Sequence, residues 1–185
     1  SNNIKLVKDK LINKTSDELL NIFFKAIKVN FDTDLLDLFL GNLKINVNIG
    51  DFATELVNCM LFKELDTLIE WNKTPINETF DYAYRMINKK RTPDNDLINY
   101  SIVCKVMAFN GFSHRQTLVQ YKKINQEQTP TTWREIGNYA AAGGNLDILK
   151  KVNKMGDLSD KAIRHYLSHS SSIDKECIDL LFNSE

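Results

Sequence analysis

One short stretch of the chain, residues 140–156, constrains the fold because it specifies two helices and the turn between them. It reads Ala-Ala-Ala-Gly-Gly-Asn-Leu-Asp-Ile-Leu-Lys-Lys-Val-Asn-Lys-Met-Gly. Gly143 and Gly144 suit a turn between helices, where small residues avoid a clash. Apolar residues follow at helical spacing, and Gly156 is a typical helix stop. The segment therefore predicts two short helices joined by a tight turn.

This segment resembles the centre of an ankyrin repeat. Ala140 and Ala141 stand where that family places two small alanines in a short inner helix, and Gly144-Asn145-Leu146 matches the family's turn. The apolar stripe of the outer helix would be Ile148, Leu149 and Val152. The resemblance implies an all-α fold of stacked antiparallel helical hairpins, a degenerate ankyrin-like α-solenoid. Scaffolds of this kind bind many unrelated partners.

The chain also departs from the ankyrin pattern. The Thr-Pro-Leu-His segment that opens an ankyrin inner helix is absent, and residues 135–138 read Glu-Ile-Gly-Asn instead. Those family residues fix the preceding loop to the helix, so the resemblance gives no ground to expect the family's projecting β-hairpins here. Only residues 131–155 match well, and the other units match through helix length and apolar stripes.

Helical periodicity recurs along the rest of the chain, without convincing strand alternation. The Thr-Ser-Asp-Glu of residues 15–18 predicts a capped helix, and the Asp-Thr-Asp of residues 32–34 opens a second. Pro93 should stop one helix, and Asp94 is a candidate to start the next. Further helices are predicted within residues 51–61, 63–71, 78–89, 95–109, 113–123, 131–155, 159–168 and 173–182. Another helical repeat or a helical bundle would show the same stripes, and a fold with a sizeable sheet is the third alternative.

Length and composition limit the class of protein. At 185 residues the chain has the size of one domain, so we expect residues 1–185 to form a single helical-repeat domain, which can be a fragment of a longer chain. No stretch approaches the roughly 18 to 20 apolar residues that span a bilayer, so we expect no membrane span. Cys59, Cys104 and Cys177 are odd in number and far apart. They favour buried, reduced thiols and a cytoplasmic location, in the producing cell or, for a secreted effector, in a host cell.

Few residues have a spacing that suggests chemistry. His165 and His169 would share one helix face, as a metal site needs, but Tyr166 stands where a zinc-protease helix carries its glutamate. Cys104 and His114 are the one Cys/His pair close in sequence, and closeness in sequence is no evidence of contact. We therefore predict no catalytic residue, no metal and no cofactor, and a protein that is not an enzyme.

The charges are unevenly distributed although the formal net charge is zero. Residues 32–70 carry eight acidic side chains against Lys44 and Lys63, and residues 85–123 carry eight basic side chains against Asp94 and Asp96. Because sequence order becomes spatial order in a solenoid, these segments predict neighbouring acidic and basic zones. A solvated face that only keeps the protein soluble is the simpler interpretation of both zones.

Three residues are predicted to bind a partner. In the helix that begins near Thr79, the apolar face comprises Phe80, Ala83, Tyr84 and Ile87. Tyr82, Arg85 and Lys89 lie on the other side, at i, i+3 and i+7, which predicts an exposed tyrosine beside two cations. Tyr and Arg dominate the energetics of many interfaces, so Tyr82 and Arg85 are expected to contact the partner and Lys89 to assist encounter.

These observations favour a non-enzymatic protein–protein interaction module whose partner is another protein with an acidic surface. By analogy, degenerate ankyrin-like repeats in an Asn/Lys/Ile-rich protein resemble effector or host-interaction proteins of intracellular bacteria and large DNA viruses. The alternatives are a regulatory or substrate-docking domain of a larger enzyme, and an enzyme with an unfamiliar site. A sequence pI of about 6.8 makes nucleic acid a poor candidate partner.

Overall fold

All regular elements in the described part of the chain are helices. The computed structural model describes residues 9–11, 13–15, 18–19, 21–22, 25, 49–72, 79, 82–83, 98–126, 130–170 and 173–183. The longer helices there are α1 (Ile49–Asn58), α2 (Phe62–Asn72), α3 (Tyr100–Phe109), α4 (His114–Tyr121), α5 (Trp133–Ala142), α6 (Leu146–Lys154), α7 (Ala162–His169) and α8 (Lys175–Asn183). The predicted all-α class is confirmed for these residues.

Contacts within the chain divide it into two compact units, Ser1–Ile76 and Asn77–Glu185. The prediction of a single domain over residues 1–185 stays a prediction. The helix predicted to open at residues 32–34 lies outside the described residues.

In the N-terminal unit, α1 and α2 contact each other across a three-residue turn. The turn depends on Met60, which has a left-handed backbone with φ of 59° although it is not glycine. This conformation lets the N–H of Leu61 donate to the carbonyl oxygen of Leu56 at 2.8 Å, which satisfies an otherwise unpaired carbonyl at the end of α1. Earlier in the unit, the capping sequence is confirmed: Glu18 accepts from the N–H of Thr15, and Thr15 Oγ1 accepts from the N–H of Glu18.

The C-terminal unit contains three helix pairs in its described part, α3/α4, α5/α6 and α7/α8, and we call each pair a hairpin. The two helices of each hairpin contact each other. The first helices also contact in order, α3 with α5 and α5 with α7, and so do the second helices, α4 with α6 and α6 with α8. Each hairpin therefore packs against the next one in the sequence.

Helices α3 to α6 each begin at a polar residue whose side chain caps the helix. Ser113 and Gln116 form a capping box on α4, Thr132 Oγ1 accepts from the N–H of Glu135, and Asn145 Oδ1 accepts from the N–H of Ile148. The predicted start of α3 at residue 95 is wrong, because Ile98 and Asn99 are not helical and Asn99 is the N-cap. Each of these caps satisfies a backbone N–H that has no partner within its own helix.

Small residues allow the hairpins to approach closely. Ala141 is fully buried in α5, together with Ala140 and Ala142. Gly143 ends α5 so close to the preceding hairpin that a Cβ atom there would overlap the carbonyl oxygen of Phe109. The core around these small residues includes Val103, Met107, Ile136, Ile148, Leu149, Val152 and Tyr166. The predicted turn at Gly143-Gly144 is therefore confirmed, with φ of +66° at Gly144.

Candidate interaction surface

Tyr82 is buried, so its predicted exposure is wrong. Its side chain is 5% exposed, its ring packs edge-on against Tyr100 at 6.3 Å between centroids, and its hydroxyl donates to Gln120 Oε1 at 3.4 Å. Tyr82 and Ala83 are both buried, although the apolar stripe placed only Ala83 of these two on the covered face. Arg85 and Lys89 lie outside the described residues, so the partner contacts of this trio remain predictions.

Asn145 joins the second hairpin to the first. Its Nδ2 donates to the carbonyl oxygens of Ala108 at 2.9 Å and Phe112 at 2.7 Å, while its Oδ1 caps α6. Two residues later, Asp147 Oδ2 accepts from the backbone N–H of His114 at 2.7 Å. The start of α6 therefore holds both the end of α3 and the start of α4.

A second polar contact links α3 to α5. Lys105 Nζ lies 2.9 Å from Glu135 Oε1 and 5.5 Å from the centre of the Tyr139 ring. The Thr131 hydroxyl donates to the other oxygen of Glu135 at 2.8 Å. Burial raises the pKa of Glu135, but hydrogen bonds from Lys105 and Thr131 and the ammonium charge outweigh it, so this pKa lies below its ordinary value. Lys105 on α3 and Glu135 on α5 therefore connect the first hairpin to the second.

Trp133, the first residue of α5, lies between two rings of α4. Its centroid is 4.6 Å from that of His114 and 4.7 Å from that of Tyr121. Burial and the positive charge of Lys151 lower the pKa of His114, while the Asp147 carboxylate opposes them. The neutral imidazole is therefore favoured beside the indole.

The third hairpin is held by Tyr166 and Cys177. The Tyr166 oxygen accepts from the N–H of Asp174 at 2.6 Å, which ties α7 to the start of α8. The Cys177 thiol donates to the carbonyl oxygen of Gly144 at 3.9 Å. On the surface, Lys150 Nζ on α6 lies 3.4 Å from Glu176 Oε2 on α8.

The cysteines have the environment of structural thiols. Cys104 and Cys177 are buried as predicted, whereas Cys59 is half-buried and donates to Glu55 at 3.8 Å. Burial raises the pKa of Cys104 to about 12. Burial, followed by the carboxylates of Asp174 and Glu176, also raises the pKa of Cys177. Cys104 therefore holds practically no thiolate at neutral pH, which argues against nucleophilic catalysis with His114.

His165 and His169 do lie side by side, with ring centroids 6.4 Å apart. Burial, His169, Lys161 and Arg164 all lower the pKa of His165. Among the described residues, no group of three or more His, Cys, Asp or Glu side chains could hold a metal ion. The described helices are also too short or too polar to cross a membrane.

Five large apolar side chains are exposed in the described part of the C-terminal unit. They are Val119 at 54%, Met155 at 46%, Leu167 at 60%, Ile173 at 81% and Phe182 at 65%. Helical periodicity did not predict their exposure, because a helical stripe indicates which residues share a face but not whether that face is covered. Single exposed apolar residues are normal on a protein surface, whereas a contiguous apolar patch rimmed by polar residues indicates a binding site.

Comparison of the chain with protein-family models, with curated proteins and with solved structures found no match.

Proposed function

We propose that the three hairpins of the C-terminal unit form a degenerate ankyrin-like stack that binds another protein without catalysis. The order of helix contacts supports this proposal, because first helices pack on first helices and second helices on second helices. In repeat proteins each unit contacts mainly its neighbours, as these hairpins do.

The spacing of the hairpins also supports the proposal. The first helices begin at Tyr100, Trp133 and Ala162, so successive starts are 33 and 29 residues apart. The second helices begin at His114, Leu146 and Lys175, so their starts are 32 and 29 residues apart. An ankyrin repeat has about 33 residues. The second hairpin, which carries the Ala-Ala and Gly-Asn-Leu features, is thus one repeat length from the first.

The exposed apolar residues of the third hairpin are the observation that carries the binding function. Leu167 on α7 and Phe182 on α8 are each more than half exposed. Burying the exposed part of each side chain against a partner would contribute roughly 1 to 2 kcal/mol to a complex. The buried, high-pKa thiol of Cys104 argues against the one Cys/His pair close in sequence as a nucleophile and its base.

Photo-crosslinking tests this function. A photoreactive amino acid is placed at Leu167 or Phe182, with the exposed Lys63 of α2 as the control position. We expect both sites, but not Lys63, to crosslink one protein that excess unlabelled protein competes away. The purified partner should then bind saturably, and Leu167→Asp should weaken binding about tenfold, as expected for a central apolar contact.

Crosslinks that are equal at Lys63, or that excess protein does not compete away, would contradict the binding function. A partner that is chemically altered on mixing would identify an enzyme instead. The effector or host-interaction context, the docking-domain alternative and the cytoplasmic location remain predictions drawn from the sequence.

A further inference from the structure

The second helices of the first two hairpins share an exposed, basic face. Its members are Arg115 and Val119 on α4 with the C-cap Lys122, and Asp147, Lys151 and Lys154 on α6 with the C-cap Met155. The first three residues of each group have i, i+4 and i+7 spacing, so they lie along one side. All seven side chains are exposed. We call this surface the α4–α6 face.

The two halves of this face adjoin. Helices α4 and α6 contact each other, and Asp147 accepts the N–H that begins α4. The charge of Lys151 is also close enough to lower the pKa of His114 on α4. The exposed residues of the two helices therefore lie side by side near the helix starts.

The charge of the face is mostly positive and uncompensated. The seven residues include four cations and one carboxylate, Asp147, which accepts a hydrogen bond from the backbone N–H of His114. Within the described chain, none of Arg115, Lys122, Lys151 and Lys154 forms an ion pair, unlike Lys150 with Glu176. Such a surface attracts an acidic partner and accelerates its encounter.

Apolar side chains among the cations distinguish the kind of partner. Val119 is 54% exposed and Met155 46% exposed, and Met adapts readily to irregular apolar surfaces. A nucleic-acid backbone would use the cations but leave these side chains uncovered. At about 1.5 Å per residue, α4 and α6 are each roughly 12 to 14 Å long, which matches a partner helix of about ten residues.

We propose that the α4–α6 face binds an acidic amphipathic helix of a partner protein, with Val119 and Met155 covered by its apolar side chains. This inference rests on the proposed protein-binding function and specifies one site and the chemistry of its partner. It extends the basic zone predicted within residues 85–123 by adding Lys151 and Lys154 from the next hairpin.

A synthetic peptide tests the chemistry of this site in the full chain. The probe is a fluorescein-labelled, end-capped helical peptide of 14 residues (a length of about four turns) with Glu on one face and Leu on the other. A permuted peptide of the same composition has no amphipathic face. We expect fluorescence anisotropy to show salt-sensitive binding of the amphipathic peptide that is at least about fivefold tighter than binding of the permuted one. Equal binding of the two peptides, or tighter binding of oligo-dT or phosphatidylserine vesicles, would overturn the proposal.

Matched charge reversals locate the site. Arg115→Glu with Lys151→Glu should weaken binding of the amphipathic peptide about tenfold or more, because both halves of the face lose a cation. Lys161→Glu with Lys175→Glu makes the same change in net charge at exposed positions elsewhere and should change affinity less than about twofold. Equal losses in the two double variants would mean that only the overall charge matters, and would overturn the site.

Val119→Ser leaves the charge unchanged and tests the apolar contact. It should weaken peptide binding several-fold while thermal unfolding stays within the small range typical of surface substitutions. If affinity is unchanged, the apolar part of the proposal is wrong. A partner found by crosslinking at Leu167 that binds the Arg115→Glu/Lys151→Glu variant with full affinity would overturn this surface and leave the proposed function standing.

Discussion

Asn145 Nδ2 donates a hydrogen bond to the carbonyl oxygen of Phe112 at 2.7 Å, so the turn of the second hairpin holds the loop of the first. The same amide group reaches the carbonyl of Ala108 and caps α6, which satisfies three backbone groups with one side chain. Buried carbonyls that lose such a donor are costly, because they have no water to replace it.

Asn145→Ala should therefore destabilise the protein more than loss of a helix cap alone. We expect a loss of about 2 to 4 kcal/mol, the sum of two hydrogen bonds at about 0.5 to 1.5 kcal/mol each and one N-cap at about 1 kcal/mol. Ser113→Ala is the matched control, because Ser113 caps α4 within its own hairpin, and it should cost about 1 kcal/mol. Urea denaturation compares the two, and equal losses would show that the bonds between hairpins contribute nothing.

Gly143→Ala should be among the most damaging single-methyl additions in the chain. Its φ of −90° suits alanine, so the only obstacle is overlap of the new Cβ with the carbonyl oxygen of Phe109. Backbone atoms cannot rotate aside, so we expect a loss of about 3 kcal/mol or more. Gly156→Ala separates backbone strain from overlap, since Gly156 has φ of +76° but open space, and it should cost only about 1 to 2 kcal/mol. If thermal denaturation shows a smaller loss of stability for Gly143→Ala than for Gly156→Ala, the close contact between Gly143 and the carbonyl of Phe109 is contradicted.

Replacement of Met60 by glycine should destabilise the protein less than replacement by alanine. Met60→Ala removes a buried side chain and keeps the strained left-handed backbone, for a loss of about 2 to 5 kcal/mol. Met60→Gly removes the same side chain but relieves the strain, so it should be more stable than Met60→Ala by about 1 kcal/mol. Chemical denaturation of both variants checks the order, and a less stable glycine variant would contradict the left-handed turn.

Acidification below pH 6.5 should destabilise the C-terminal unit. The pKa of both His114 and His165 is lowered from 6.5 in the folded protein, so the unfolded chain takes up protons first as the pH falls. Stability is then full above pH 6.5, falls below it, and levels off once the folded histidines are protonated too. The urea midpoint should therefore be lower at pH 5.5 than at pH 7.5, and His165→Gln should reduce the difference. Glu135 does not interfere in this window, because its pKa lies below 4.5. A midpoint that is independent of pH over this range would mean that neither imidazole is held neutral.

Native thiol labelling should distinguish the three cysteines. Cys104 and Cys177 should react slowly until the protein unfolds, because burial blocks access and raises the pKa of each thiol. The half-buried Cys59 should react first. Ellman's reagent gives the rates, and Cys59→Ser should remove the fast phase. A fast phase that survives in this variant would mean that a buried thiol is accessible.

Local sequence patterns predicted those turns and helix ends that depend on residues close together in the sequence. The Gly143-Gly144 turn and the cap at residues 15–18 are examples, because each is specified within a few positions. The start of α3 was misplaced because Asp94 and Asn99 are both capping residue types. The N–H of Asn99 donates to Thr79 Oγ1 at 2.8 Å, a contact between residues twenty positions apart that no local pattern contains.

The candidate surface was predicted less well for a related reason. Periodicity placed Tyr82 opposite an apolar stripe, but Tyr100 and Gln120 cover it from other helices. Conversely, Lys151 and Lys154 lay outside the basic zone of the sequence and join Arg115 only because α6 packs against α4. Helical spacing determines which residues share a side, while tertiary packing determines which sides meet solvent.

Trp133 lies between His114 and Tyr121, so its fluorescence reports on the contact between the first and second hairpins. The indole belongs to α5 and both flanking rings belong to α4, so their separation changes the surroundings of the chromophore on both sides. The only other tryptophan in the chain is Trp71, which belongs to the N-terminal unit. With Trp71 replaced by phenylalanine, the remaining emission reports the parting of these two hairpins without an attached dye.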